Sequence, residues 1–262
     1  MHQGHIARKR FGQNFLTDKA VIYQIISAIA PKPGENIVEI GPGLGALTVP
    51  LQAACGHLQV VEIDRDLIAR LKETWSPAQI TINEGDALKF DFGSLPAPLR
   101  VVGNLPYNIS TPLLFHLASF SGHVQDMTFM LQKEVVDRMV AEPDSAEYGR
   151  LSVMLQYRFN MVSLFDVPPT AFKPAPKVTS AIVSMQPKAA SECACRDEAL
   201  FAKVVTAAFG QRRKTLRNTL RDYVSDADFV ALEINPQARG ETLSLQDYVH
   251  IADYLAGRKA LV

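Results

Sequence analysis

The chain has 262 residues, 47% of them hydrophobic and 21% charged, with 27 basic residues balanced by 27 acidic ones. This length fits one large domain or one large plus one small domain, and the composition excludes a disordered or fibrous chain. A formal net charge of zero provides no whole-molecule field to draw in nucleic acid, so any such attraction has to come from local clusters.

Val21, Ile22, Ile25, Ile26 and Ile29 recur at helical spacing, which predicts a helix over residues 18–30 with Asp18 at its N-cap. Residues 36–40 read as a short buried strand opening into Gly41-Pro42-Gly43-Leu44-Gly45, with a helix expected over 46–54. The alternation continues with a strand over 58–62, a helix over 64–75 carrying Leu67, Ile68 and Leu71, and strands over 79–83 and 99–103. A helix over 111–120 and a strand over 127–131 follow. Strands alternating with helices predict a mostly parallel sheet with right-handed crossovers and helices on both faces.

Beyond residue 131, residues 132–141 read as helical and 151–159 fit either a helix or a strand. Segments 159–167 and 178–185 flank a proline-rich loop and fit an antiparallel pair at one sheet edge. Residues 187–196 are small and polar and read as a linker. Three helical patterns follow, over 198–209, 212–223 and 244–255. The division is therefore a sheet domain over 1–187 and a small all-helical domain over 197–262.

Cys55, Cys193 and Cys195 lack the paired spacing of a disulfide framework or a zinc site, and no metal is expected. The N-terminus has no apolar signal core, and no run approaches the roughly 18 apolar residues of a membrane span. The expectation is a cytoplasmic chain with free thiols.

Gly41-x-Gly43-x-x-Ala46 matches the glycine-rich turn of dinucleotide-binding folds, where the absence of side chains lets the backbone approach a ligand. Glu62 lies 21 residues beyond Gly41 at the end of the next strand, where an acid accepts hydrogen bonds from ribose hydroxyls. These features alone suit NAD and S-adenosylmethionine equally. Glu39 shifts the balance to S-adenosylmethionine, because a carboxylate beside the turn repels a pyrophosphate and tolerates a cationic sulfonium or amino group. Asp86, after the third strand, stands where it can accept from the exocyclic amine of the cofactor adenine.

Asn104-Leu105-Pro106-Tyr107 leaves the end of the fourth strand with an amide, a carbonyl restricted in direction by the following proline, and an aromatic ring. That combination suits a flat, amino-bearing base, and together with the cofactor turn it resembles the adenine-N6 methyltransferases. Five further segments extend the resemblance over nearly the whole chain. They are Gly12-Gln13-Asn14-Phe15-Leu16, the stretch from Val38 to Gly45, Glu62-Ile63-Asp64, Gly85-Asp86-Ala87, and Phe172-x-Pro174-x-Pro176-Lys177-Val178-x-Ser180. In this order the motifs are similar to those of the ribosomal-RNA adenine dimethyltransferases.

The resemblance implies an α/β, Rossmann-like, S-adenosylmethionine-dependent methyltransferase with a helical C-terminal domain. Its reaction would be dimethylation of the N6 amines of two adjacent adenosines near the 3′ end of small-subunit rRNA, on the immature small subunit, by a monomer. A large-subunit rRNA methylase that confers resistance, or a non-catalytic assembly factor on the same fold, stays open on these motifs. By resemblance, Asn14 and Leu16 cover the methionine end of the cofactor and Gly41 lines it. Glu62 holds the ribose, Asp86 holds the adenine, and Asn104 bridges cofactor and target. Asn104 and the Leu105 carbonyl accept from the target amine, Tyr107 stacks on the base, and Phe172 supplies a second aromatic face. The residue type at 172 also fits a core phenylalanine in a proline-stiffened loop.

Two basic clusters are candidate RNA contacts: Arg8, Lys9 and Arg10, and Arg212, Arg213, Lys214, Arg217 and Arg221. On a helix, Arg213, Arg217 and Arg221 form one stripe, and Leu216, Leu220 and Val224 form another.

Overall fold

The computed structural model describes residues 14–259. Strand β1 (Phe15–Leu16) leads into α1 (Lys19–Ile29). Asp18 caps this helix, its Oδ1 accepting the Ala20 and Val21 N–H groups at 2.8 and 3.2 Å. The apolar stripe of α1 buries Val21, Ile25 and Ile29.

Alternating units then build the sheet: β2 (Asn36–Ile40), α2 (Thr48–Cys55), β3 (Leu58–Glu62), α3 (Arg65–Thr74) and β4 (Ile80–Glu84). After these come β5 (Leu99–Asn104), α4 (Ser110–Ala118) and β6 (Val124–Gln132). Strands β2 to β6 pair in parallel and are mostly apolar and buried, as strands covered on both faces must be. Beyond them are α5 (Lys133–Val140), α6 (Arg150–Arg158), β7 (Phe159–Val167), β8 (Phe172–Lys173) and β9 (Ser180–Pro187). The seven-stranded order is β4-β3-β2-β5-β6-β9-β7, with β9 antiparallel to β6, and β8 pairs separately with β1.

The segment that read ambiguously, 151–159, is the helix α6. Its start is fixed by Ser152, whose hydroxyl accepts the Gly149 N–H at 3.0 Å and donates to the Arg138 carbonyl at 2.5 Å.

The chain divides into two compact units. One runs through Val136 and takes in Met161–Pro187; the other comprises Asp137–Asn160 and the chain from Lys188 onward. Residues 137–160 thus group with the helices rather than with the sheet domain expected over 1–187. Within the helical unit, the Tyr157 hydroxyl donates to the Cys193 carbonyl at 2.6 Å, and its ring lies 4.7 Å from that of Phe201 in α7 (Glu198–Ala208). These contacts tie α6 and the linker segment to the helices. The unit continues with α8 (Leu216–Thr219), α9 (Asp226–Ala231) and α10 (Leu245–Lys259).

The helix expected over residues 212–223 is corrected to the four-residue α8. Thr215 is extended, and the Leu216 and Arg217 N–H groups donate to the Ala238 and Pro236 carbonyls at 2.8 and 3.0 Å rather than continuing a helix from upstream. Leu216, Leu220 and Val224 are buried as their spacing requires. Arg213, Arg217 and Arg221 do not share one helix. No helix among the described residues is long and apolar enough to cross a membrane.

At the amino end of β5, Arg100 is buried in the sheet unit. Its Nε bonds both oxygens of Asp126 at 3.0 Å, while Nη1 and Nη2 reach Glu35 Oε2 and the Ile29 carbonyl at 2.6 Å. This joins α1, the start of β2, β5 and β6 through one guanidinium. Arg100→Met leaves two carboxylates and a carbonyl without their cation, with an expected loss of about 3–5 kcal/mol in urea denaturation.

Candidate active site

One cavity of about 250 Å³ opens at the carboxyl ends of the parallel strands. Asn14, Leu16, Gly41, Glu62, Asp86, Asn104, Leu105, Pro106 and Tyr107 all line it. Nine residues singled out in the sequence are therefore brought together, although Asn14 and Tyr107 are far apart along the chain.

Gly41, Pro42 and Gly43 of the glycine turn line the cavity. Gly43 has a φ of 57°, a left-handed conformation that favours glycine, and a Cβ there would sit in ordinary contact with the Phe15 ring at 3.4 Å. Phe15 itself lines the cavity.

Three carboxylates border the cavity, each held differently. The Oε1 of Glu62 accepts the Ile63 and Asp64 N–H groups at 2.8 and 2.9 Å, which fixes the direction of the carboxylate. Burial raises its pKa against the lowering effect of these amides. Asp86 Oδ1 accepts the Leu88 N–H at 3.0 Å, so this residue both shapes its turn and faces the cavity. Glu39 is buried, with Oε2 accepting the Thr48 hydroxyl at 2.6 Å. Burial, helped by the nearby Glu62 charge, pushes the Glu39 carboxyl up to about 7 despite that hydrogen bond.

The tetrad is anchored at each step. Asn104 Nδ2 donates to the Asn14 carbonyl at 3.3 Å, leaving Oδ1 as the accepting end of the amide. The Leu105 N–H bonds the Met130 carbonyl at 3.1 Å on the neighbouring strand. The Tyr107 hydroxyl lies 2.8 Å from Ser180 Oγ, and its carbonyl accepts the Ser110 hydroxyl at 3.1 Å.

Phe172 is not among the lining residues. It pairs opposite Leu16 in the β1–β8 ladder, is 3% exposed, and packs in the core with residues such as Ile25 and Ile182. This burial matches the core phenylalanine that the residue type also fits. Sequence reasoning missed Ile63, which lines the cavity and is 48% exposed. The signal was an apolar residue between Glu62 and the helix cap Asp64, where no core position remains for it.

Arg8, Lys9 and Arg10 lie outside the described residues. Arg212, Arg213, Lys214, Arg217 and Arg221 are all exposed on the helical unit. Arg212 donates to the Ala146 carbonyl at 3.1 Å, Arg217 pairs with Asp226, and Arg221 lies 3.7 Å from Asp222. Lys214 and Arg221 border a polar recess that also includes Gln211 and Asn218.

A glycine turn, a carboxylate fixed at the end of the adjoining strand and the Asn104–Tyr107 tetrad around one cavity of a parallel sheet define a Rossmann-like S-adenosylmethionine-dependent methyltransferase. The crystal structure of a dimethyladenosine transferase from Plasmodium falciparum shares the fold, with a TM-score of 0.77 at 24% identity over 94% of this chain and 98% of that one. Residues 4–257 match the family model described as ribosomal RNA adenine dimethylase, and the chain belongs to that family. It is 69% identical to the ribosomal RNA small subunit methyltransferase A of Aromatoleum aromaticum over 254 residues, 97% of this chain and 96% of that protein. The protein of the same name from Thiobacillus denitrificans is 62% identical, covering 97% of this chain and 100% of that one.

A cationic ligand beside Glu39 favours its carboxylate, so binding expels the Glu39 proton whenever the pH lies below the free-site value of about 7. Calorimetric affinity for S-adenosylmethionine is expected to rise with pH, by up to about tenfold per unit from about pH 5.5, and to level off above neutrality. Glu39→Gln flattens that rise.

Proposed function

We propose that the chain dimethylates the N6 amines of two adjacent adenosines near the 3′ end of small-subunit rRNA, acting on the immature small subunit in the cytoplasm as a monomer. The observation that carries this reading is the meeting of Asn104, Leu105 and Tyr107 with Glu62 and Asp86 in one cavity. Membership of the adenine dimethylase family, with relatives named for the small subunit, supports the choice of substrate.

S-adenosylmethionine supplies the electrophilic methyl group. Glu62, with its carboxylate direction set by two backbone amides, holds the ribose; Asp86 accepts from the adenine amine; Asn14 and Leu16 cover the methionine end. Asn104 Oδ1 and the Leu105 carbonyl accept from the target amine. The N6 lone pair is delocalised into the adenine ring, and two acceptors favour the pyramidal nitrogen that develops positive charge during in-line attack. Tyr107 offers its face to the base, which must leave its stack to enter; unstacking costs a few kcal/mol, about what base–aromatic stacking returns.

The direct test is incubation of unmethylated small subunits with labelled S-adenosylmethionine, followed by mapping of the modified nucleosides. Label on two neighbouring adenines as N6,N6-dimethyladenosine is expected; label confined to large-subunit RNA sinks the reading. Asn104→Ala should keep cofactor affinity within a few-fold and lower methyl transfer by about 100-fold or more, the scale of losing a transition-state acceptor. Near-normal turnover removes Asn104 from its role.

The exposed basic residues of the helical unit would contact phosphates. Replacing Arg213 and Lys214 together with alanine should reduce the slope of log affinity against log salt by roughly 0.7–0.9 per lost contact. A slope equal to that of the unmodified protein excludes both residues from the interface.

A further inference from the structure

Ser180 begins β9 and is fully buried, yet its hydroxyl meets a residue of the cavity. Its Oγ lies 2.8 Å from the Tyr107 hydroxyl. The strand that carries it is rigidly placed: Ser180 is opposite Gln132 on β6, and the preceding Thr179 carbonyl accepts the Lys133 N–H at 3.0 Å. Tyr107 is therefore held at both ends, through its carbonyl by Ser110 and through the far edge of its ring by the sheet. A tyrosine fixed only through its backbone keeps its side-chain torsions as soft degrees of freedom. A hydrogen bond at the phenol oxygen fixes where the far end of the ring lies and so sets χ1; because that oxygen sits on the Cβ–Cγ axis, the bond bears on the ring plane only through the preference of the phenolic O–H to lie in that plane.

We propose that Ser180 is a positioning residue that holds the Tyr107 ring against the target base, and that this hold matters most for the second methyl transfer. The proposal rests on the reading of Tyr107 as the stacking face. In each transfer the amine nitrogen forms a bond to the methyl carbon as the carbon–sulfur bond breaks. The sulfur keeps the bonding pair, and the nitrogen gives up one proton to water. The unmethylated amine has two N–H groups, one for each acceptor at Asn104 and Leu105. The monomethylated amine has one, so one hydrogen bond of the clamp is lost before the second transfer begins. Orientation of the base then depends more heavily on stacking, and stacking depends on where the Tyr107 ring is held.

The test follows the ratio of mono- to dimethyladenosine through a time course on unmethylated small subunits. The chains compared are the unmodified protein, Tyr107→Phe, Ser180→Ala, the double variant and Ser180→Thr. Both single variants should slow the first transfer modestly and raise the accumulated mono-to-dimethyl ratio by about 3- to 10-fold, the worth of one hydrogen bond. The double variant should be no worse than either single one, because both remove the same bond. Ser180→Thr keeps the hydroxyl and should restore the ratio, and affinity for S-adenosylmethionine should be unchanged throughout. An unmodified ratio in Tyr107→Phe overturns the proposal even where Ser180→Ala does not fold, as do additive effects in the double variant. Undiminished turnover in Tyr107→Ala would instead overturn the stacking reading itself, without reference to Ser180.

Discussion

The parallel pairing of β2 with β5 is the constraint on which the site depends. Glu39 stands opposite Val102 and Ile40 opposite Gly103, so the glycine turn and the Asn104 tetrad leave the sheet side by side and in the same direction. The contact is close: a Cβ on Gly103 would come within 2.6 Å of the Ile40 carbonyl, a backbone atom that cannot move aside without breaking the ladder. On the other flank, β3 and β4 end level with each other, with Glu62 opposite Glu84 just before Gly85 and Asp86. One sheet edge thus presents groups suited to a cofactor from three strands and groups suited to an amine from the fourth. No loop has to fold over to bring them together, which is why ligands of open α/β sheets lie at this edge.

Buried charge is treated in opposite ways at the two ends of these strands. At the amino ends, Arg100 is enclosed with Glu35, Asp126 and a backbone carbonyl, so its cation has partners on every donor group that the structure resolves. At the carboxyl ends, Glu39 is equally buried but has the neutral Thr48 hydroxyl as its partner and the like charge of Glu62 nearby. The first arrangement is complete in itself and acts as a structural bolt. The second is electrostatically incomplete: burial and the Glu62 charge raise its carboxyl to about 7, with no cation among its partners in the described residues to hold it ionised. A sulfonium or ammonium group placed there would supply that cation, whereas a pyrophosphate would add to the repulsion. The asymmetry therefore distinguishes between cofactors that the glycine turn alone admits equally.

What was legible in the sequence was local. The alternation of β2 to β6 with their helices, the Asp18 cap, the turn at Gly41 and the acids at Glu62 and Asp86 each follow from a few neighbouring residues, and the structure has all of them in those places. The features that differed depend on distant partners. Phe172 is buried because Leu16, far away in sequence, pairs with it. The helical pattern over 212–223 collapses to four residues because carbonyls at 236 and 238 take its amides. Residues 137–160 join the helices through contacts such as Tyr157 with Phe201. Ser180 ends the motif that begins at Phe172, but its partnership with Tyr107 spans 73 positions and leaves no periodic trace.

In the proposed function the clamp at Asn104 and Leu105 reads an exocyclic amine on a flat ring, and every unstacked adenine offers the same group. Under the proposed function, the choice among adenines must then be made away from the cavity, by how the body of the RNA is held. A chain with 27 charges of each sign has little long-range field, and at physiological salt such a field decays within about 8 Å. Two of the five exposed cations near α8 are already engaged by acids, Arg217 with Asp226 and Arg221 with Asp222, and must exchange one anionic partner for another on meeting a phosphate. Electrostatic attraction to arbitrary RNA is weakened on both counts. Selection consequently falls to shape and to the simultaneous fit of several weak contacts, as in a folded ribosomal particle. A loose RNA strand satisfies the amine clamp while leaving those contacts unmade.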